Sequence, residues 1–391
     1  MTQVENDNPR ASHTSAVKPP GPLVSVVIPA YNATDYIANA LQSVFVQTFS
    51  DFEILLVNDG SPDNEGLKLE LQPYLPRIRY FKQVNRGPSA ARNLAIRESQ
   101  GRFVAFLDAD DFWLPQHLAR QVERLSRNEK IGLVYANAFH LRNNKLIGTA
   151  FERVPQSGVA DIDSLLSERC TINTSSVVAS RSALFQAGLF DESMRHCEDF
   201  DLWLRLARLG IGIEYDRHVQ VGHRVGNGLA ASREQMKEGR ARAYKAFLDG
   251  GSPSDSQRAV IASKLKALDF EVHVELAKKQ LVEKQYSEAV TELKAARSIR
   301  GSGKLRLAEL CLLCFPSSTR FAYRTYIGLL GGYKKREEKR FMKAVSRKEF
   351  PELVLFDKGP GSTPRHSEVS SAERPSEVSN EKVTSVEQPS R

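Results

Sequence analysis

Residues 104–113 read VAFLDADDFW. Val104, Ala105, Phe106 and Leu107 form an unbroken apolar run, as expected of a strand covered on both faces. Asp108, Asp110 and Asp111 follow within four positions. Carboxylates this close oppose each other's ionisation unless something offsets their charge. A hard divalent cation is the usual compensation, since Mg²⁺ is typically held by one or two carboxylates together with substrate phosphates. An isolated pair of aspartates one residue apart is more often a solvated loop tip, so the position of the cluster in the fold decides its meaning.

Working outward, LVSVVIP (23–29), FEILLVN (52–58) and IRYFKQ (78–83) repeat the buried-strand pattern. Between them lie segments with helical spacing, TDYIANALQSVFVQ (34–47), a short piece near 63–71 and PSAARNLAIRES (88–99), and PQHLARQVERLSR (115–127) follows the fourth strand. Pro88 and Pro115 stand at helix starts, where proline is favoured. Strands alternating with helices predict an α/β fold with a mostly parallel, doubly wound sheet flanked by helices. In such sheets the ligand crevice lies beyond the carboxyl ends of the strands. Tyr31 and Asn32 follow the first strand, Asn58 and Asp59 end the second, and the aspartate cluster ends the fourth. All three exits are expected to face one crevice.

After Asn137 the pattern loosens. TINTSSVVAS (171–180) reads as a strand and RSALFQAG (181–188) as a short helix. Residues 198–209 read as a helix with an acidic first turn and a glycine stop at Gly210. IGIEYD (211–216) and HVQVGHRV (218–225) read as two short strands. Residues 255–300 are charged and amphipathic and predict a helical hairpin turning near Lys284 and Gln285. Helical character continues over 303–349 and becomes strongly basic at YKKREEKRFMKAVSRK, 333–348.

The expected organisation is an α/β domain over 21–245, a helical, basic C-terminal region over 252–350, and disordered tails over 1–20 and 357–391, where little can be buried. The net charge of +8 on 391 residues suits phosphate-bearing ligands or an anionic membrane surface. The four cysteines show no disulfide framework. Cys311 and Cys314 form a lone CxxC that reads as helical core packing rather than a zinc site. No apolar signal core opens the chain and no run of 18 apolar residues follows, so a cytoplasmic protein is expected. No GxxxxGK[ST] or GxGxxG string opens a helix.

Six motifs occur in order: VIPAYN (27–32), VNDGSPD (57–63), NRGPSAARN (85–93), LDADD (107–111), GLFDE (188–192) and CEDFDLWLRL (197–206). Together they resemble the family 2 glycosyltransferases, which have the GT-A fold. The resemblance runs over roughly residues 23–235. It implies an inverting transfer of a sugar from a nucleoside diphosphate, most readily a UDP-sugar, to a hydroxyl of a saccharide or lipid-linked acceptor, in cell-surface polysaccharide or glycolipid synthesis. Pro29 and Tyr31 would border the base, and Asp59 would hydrogen-bond it. Many relatives carry Asp where this chain has Asn58.

Arg92 would approach the base or the phosphates. Asp108 would lie near the ribose, and Asp110, with Asp108 beside it, would ligate Mg²⁺ or Mn²⁺ bridging the diphosphate, Asp111 standing behind. Asp199 would be the general base, with Glu198 its nearest rival. Trp203 would be either an acceptor wall or plain core. His223 and Arg224, in the glycine-hinged GHRVGNGLAAS, would cover the diphosphate. Residues 333–349 suit peripheral contact with the inner face of a membrane, and no nucleic-acid partner is expected. Two rival readings remain at this point: a nucleotidyltransferase built on a similar nucleotide-binding half, and a non-catalytic membrane or nucleic-acid binder acting through its basic helices.

Overall fold

The computed structural model describes residues 21–325 except 143–144, 154–155, 157–159 and 226–232. In chain order the elements are β1 (Val24–Ala30), α1 (Ile37–Phe45), β2 (Phe52–Asp59), α2 (Asn64–Leu71), β3 (Arg79–Gln83), α3 (Pro88–Glu98), β4 (Phe103–Phe106), β5 (Phe112–Trp113), α4 (His117–Arg127), β6 (Ile131–Arg142), β7 (Lys145–Thr149), α5 (Ala150–Arg153), α6 (Ile162–Leu166), β8 (Val177–Ser180), α7 (Arg181–Gln186), α8 (Glu198–Arg208), β9 (Gly212–Arg224), α9 (Arg233–Asp249), α10 (Asp255–Val282), α11 (Tyr286–Ile299) and α12 (Gly303–Cys314).

The strands form one sheet in the order β3-β2-β1-β4-β8-β6-β9-β5, with β7 paired to β6. β3, β2, β1 and β4 are mutually parallel. β8 runs against β4 and β6, and β9 runs parallel to β6. Chain order reverses at β1, which has β2 on one side and β4 on the other. That reversal opens a crevice at the carboxyl ends of β1 and β4. The continuous apolar runs are explained by burial on both faces. Val27, Leu55, Val104 and Phe106 point into one core layer, while Val26, Ile28, Ile54 and Ala105 point into the other.

Under the crevice, Phe106 of β4 packs against Phe190 and Trp203 with ring centroids 5.5 and 6.4 Å away. Trp203 is buried in this cluster, so of its two expected roles the core one holds. An aromatic trio of this kind contributes about 0.5–1.5 kcal/mol per pair beyond the area it buries.

The long helix α10 joins two cores. Ile261, from its first half, lies in the core of the α/β layers, with Val260, Leu265 and Leu268 packed beside it. Leu281, near its end, packs with Ala289, Val290 and Leu312 of α11 and α12 in a separate small cluster. The α10–α11 turn falls where the sequence places it, with Lys284 in a left-handed conformation.

Several expectations are corrected. The segment 171–180 is extended only from Val177; residues 174–176 form a 3₁₀ turn instead. The two short strands expected over 211–225 are one strand, β9, whose pairing with β6 carries register shifts that absorb irregular residues. β6 and β7 had no counterpart in the sequence reading. The CxxC is not core: Cys314 is exposed, and Leu307, Leu310 and Leu313 on the same helix are each more than half exposed. The tails and the basic segment 333–349 lie outside the described residues. Among the described residues no helix is long and apolar enough to cross a membrane.

Candidate active site

Three strand exits and the start of one helix build the site. At the exit of β1, Pro29 and Tyr31 are half-buried and Asn32 takes a left-handed backbone, φ 52°. Ser61 ties this turn to β2, since its hydroxyl donates to the Ala30 carbonyl at 3.3 Å and accepts from Asn32 N–H at 3.2 Å. Buried Asn58 donates to Tyr80 Oη at 2.9 Å and to Asn64 at 3.1 Å, and accepts from Ser61 N–H at 2.9 Å. Gly60 permits the close pass of the next loop. Its φ is 66°, and a Cβ there would sit 2.7 Å from Asn85 N.

Asp59 is buried and accepts from Gln83 Nε2 at 2.7 Å, Arg86 N–H at 2.9 Å and Gly87 N–H at 2.8 Å. Its carboxylate therefore pins the 83–87 segment that opens α3.

The other bank is charged. β4 ends at Phe106, and the chain turns through Asp108 and Asp110 into β5. Arg92, buried on α3, donates to Asp108 Oδ1 at 2.6 Å and to Glu198 Oε1 at 2.9 Å, with its guanidinium over the Phe190 ring. Burial alone would lower the Arg92 pKa, but Asp108 and Glu198 outweigh it and hold the cation above its ordinary range. Its two terminal nitrogens thus brace a strand exit against the start of α8. Burial, with Asp199 alongside, raises Glu198 against the pull of Arg92.

Asp111 is the satisfied member of the aspartate cluster. It accepts from Ser175 Oγ at 2.6 Å and Arg224 N–H at 2.9 Å, and lies 3.0 Å from His223 Nδ1. Burial would raise it, but the His223 charge and these hydrogen bonds hold it below the usual carboxylate range. His223, in turn, is pushed up to about 9 by Asp111 against the effect of burial.

Asp110 is different. Its carboxylate has no side-chain hydrogen-bond partner among the described residues, and burial together with Asp111 and Asp108 pushes it up to about 7. Arg224 is buried with its guanidinium over the rings of Phe112 and Tyr36, and Nη1 donates to the Asp110 carbonyl at 2.6 Å. The remainder of the glycine-hinged loop, 226–232, lies outside the described residues.

Asp199 sits in the first turn of α8, half-buried. Its Oδ1 accepts from Phe200 N–H at 2.7 Å and its Oδ2 from Thr174 Oγ1 at 2.9 Å. Cys197, the residue just before α8, is left-handed with φ 59°, an uncommon conformation outside glycine that fixes how α8 starts.

A carboxylate with no side-chain partner in a like-charged cluster is the chemistry a hard cation satisfies. No group of three or more His, Cys, Asp and Glu side chains converges among the described residues. A site of this make-up fits an ion held by one or two carboxylates, with phosphates and water completing the shell.

Known proteins bear on this arrangement. The sequence profile described as Glycosyl transferase family 2 matches residues 25–183. WfgD of Escherichia coli, a UDP-Glc:alpha-D-GlcNAc-diphosphoundecaprenol beta-1,3-glucosyltransferase, is 34% identical over 187 residues, covering 48% of this chain and 70% of WfgD. The chain belongs to glycosyltransferase family 2. A glycosyltransferase of Rickettsia felis is 34% identical over 186 residues, 47% of this chain. The chain spans only 30% of that relative's length. The mannosyltransferase PcManGT of Pyrobaculum calidifontis, solved with GDP-Man and Mn²⁺, superposes with a TM-score of 0.51 over 82% of this chain and 86% of its own. At 18% identity that likeness is one of fold, and the glycosyltransferase has the GT-A fold its motifs imply.

Membership of the family supports the glycosyltransferase reading of the sequence over the nucleotidyltransferase one. In this glycosyltransferase Asp108, Asp110, Asp111, Arg92, Glu198, His223 and Arg224 form one connected polar network. Pro29, Tyr31 and Asp59 lie at the ends of the neighbouring strands β1 and β2. Sequence reasoning missed the residues that join these parts, Ser61, Gln83, Thr174 and Ser175. The only signal for them was hydroxyl and amide side chains clustered beside strand ends.

Proposed function

We propose that this glycosyltransferase moves a sugar from a nucleoside diphosphate, most readily a UDP-sugar, to an acceptor hydroxyl with inversion at the anomeric carbon. The observation that carries the reading is the Asp110 carboxylate, which no other side chain satisfies, at the β4 exit, within the same network of strand exits that reaches Asp199. Asp110, with Asp108 beside it, holds Mg²⁺ or Mn²⁺. When bound, the ion offsets charge developing on the departing diphosphate. WfgD acts on UDP-Glc and PcManGT is seen with GDP-Man and Mn²⁺, which supports this class of donor and metal.

The protein's own residues do the rest. Pro29 and Tyr31 flank the base, and Asp59, through the loop it pins and its own oxygens, presents the polar edge that reads it. Arg92 keeps Asp108 oriented toward the ribose. His223 and Arg224 close the diphosphate side. Asp199 takes the proton from the attacking hydroxyl, because Glu198 is committed to the Arg92 pair. In-line attack from the face opposite the leaving diphosphate inverts the configuration.

The acceptor in this reading is a saccharide or a lipid-linked saccharide, as the name of WfgD suggests, and the product belongs to cell-surface polysaccharide or glycolipid. The glycosyltransferase domain spans about 21–245 and the helical region 252–350, whose first helix, α10, helps to close the domain's core. The basic segment 333–349 serves peripheral contact at the inner, cytoplasmic face of a membrane.

A thermal-shift series with UDP-, GDP- and dTDP-sugars, with and without Mn²⁺, tests the donor half, since only a ligand of the folded state raises the melting temperature. Metal-dependent stabilisation by one nucleotide is the expected result. No shift with any of them overturns the reading.

A further inference from the structure

The 3₁₀ turn at 174–176 lies between the two halves of the chemistry. It forms because Asn173 Oδ1 accepts from Ser175 N–H at 2.8 Å and Asn173 O accepts from Ser176 N–H at 2.9 Å. Thr174, Ser175 and Ser176 are all buried. Buried hydroxyls are costly unless each finds a partner, so their partners are informative.

Ser175 turns wholly toward the aspartate cluster. Its Oγ donates to Asp111 Oδ2 at 2.6 Å and accepts from Asp108 N–H at 3.1 Å, and its carbonyl accepts from Trp113 Nε1 at 2.7 Å. Thr174 turns the other way, its Oγ1 donating to Asp199 Oδ2 at 2.9 Å. Two adjacent residues thus tie carboxylates on two different elements, one at the β4 exit and one on α8.

With the second oxygen held by Phe200 N–H, Asp199 has one protein donor on each oxygen and a lone pair left on each. Its side chain cannot rotate without breaking one of these bonds. We propose that Thr174 and Ser175 are positioning residues that set the Asp199 carboxylate at a fixed distance from the Asp108–Asp111 cluster, so that acceptor and donor meet in line. This rests on Asp199 being the base. Thr174 acts on the chemical step, and Ser175 acts on the donor through the turn it shapes.

The experiment uses the full chain and the nucleotide sugar found to stabilise it. Release of the nucleoside diphosphate with water as acceptor is measured at saturating donor, and donor affinity with Mn²⁺ by calorimetry. Thr174→Val is expected to lower kcat about ten- to a hundredfold, as displaced catalytic groups do, with donor Kd within about twofold. Thr174→Ser, which keeps the hydroxyl and loses the methyl, is expected to restore most of kcat, which a role for the methyl in packing would not produce. Ser175→Ala is expected to weaken donor binding.

In the Asp199→Asn background, Thr174→Val is expected to cost nothing further. Should Thr174→Val fail to fold, Thr174→Ala takes its place. Parental kcat in Thr174→Val beside an inactive Asp199→Asn overturns the positioning role and leaves the base assignment standing. Parental kcat in Asp199→Asn overturns both.

Discussion

Arg92 holds Glu198, with Nη1 donating to Oε1 at 2.9 Å and both side chains buried. This separates the two carboxylates that open α8. Glu198 is spent on a structural pair, while the half-buried Asp199 keeps lone pairs for a substrate. Glu198→Gln is therefore expected to cost about 1–3 kcal/mol of stability while keeping transfer within about tenfold. Asp199→Asn is expected to keep stability and lose about a hundredfold or more in kcat. Urea midpoints and donor turnover on the two variants check this, and equal activity losses would contradict it.

Arg92 itself has a heavier role, since it also carries Asp108 at 2.6 Å. Replacing it by Met leaves buried Glu198 and half-buried Asp108 without their cation. Removing one partner of a buried pair typically costs about 3–5 kcal/mol. A urea midpoint for Arg92→Met close to the parent's would refute the bracing role. Arg92→Lys is expected to recover only part of the loss, because one ammonium cannot span two acceptors as a planar fork does.

Asp110 is expected to behave oppositely with respect to stability. Its carboxylate has no side-chain partner and lies beside the charges of Asp108 and Asp111, so Asp110→Asn relieves repulsion. In metal-free buffer at neutral pH the variant is expected to melt higher than the parent. With Mn²⁺ and the stabilising nucleotide the order reverses, because the variant no longer gains from the ion. Calorimetric scans with and without Mn²⁺ give both numbers.

Acid stability has a separate source. Asp216, buried on β9, accepts from Arg120 Nε at 2.6 Å and from His218 N–H at 3.1 Å. Burial would raise its pKa, but the Arg120 and His218 hydrogen bonds outweigh burial and hold it at about 2. A depressed acid stabilises the fold above its unfolded pKa near 4, and that contribution is lost as pH falls toward 2. Asp216→Asn is expected to cost about 2 kcal/mol at pH 7 and to flatten the fall in stability between pH 4 and 2. Urea titrations at pH 7, 4 and 2.5 test the sign.

Gly222 of β9 pairs with Phe112 of the antiparallel strand β5. A Cβ there would come within 2.1 Å of the Phe112 ring. Gly222→Ala is expected to cost about 1–3 kcal/mol through overpacking and to disturb His223 and Arg224 next along the strand. Donor affinity is expected to fall with stability, and unchanged affinity would show that these two residues are not part of the donor site.

The half of the fold around β1–β4 was legible because strands buried on both faces announce themselves as apolar runs, and carboxylates at their ends stand out against them. β6 was not, because buried Asn137 and the polar His140 interrupt its pattern. β9 looked like two strands because Arg217 and His218 are exposed in its middle. In the site, residue types near strand exits were readable, but their partners were not. Arg92 on a helix surface and Arg92 between Asp108 and Glu198 have the same sequence; only contacts 16 and 106 positions away separate them. A hydroxyl such as Thr174 carries still less signal, because solvated and buried threonines are written with the same letter.

The double membership of α10 has a consequence for how this chain can vary. Ile261 and its neighbours seal the α/β layers, so cutting at about residue 252 strips the enzyme of a wall rather than trimming an appendage. The helical region is therefore not an exchangeable cassette. Any replacement must reproduce the first half of α10 against that wall, and only what lies beyond its far end is free to diverge.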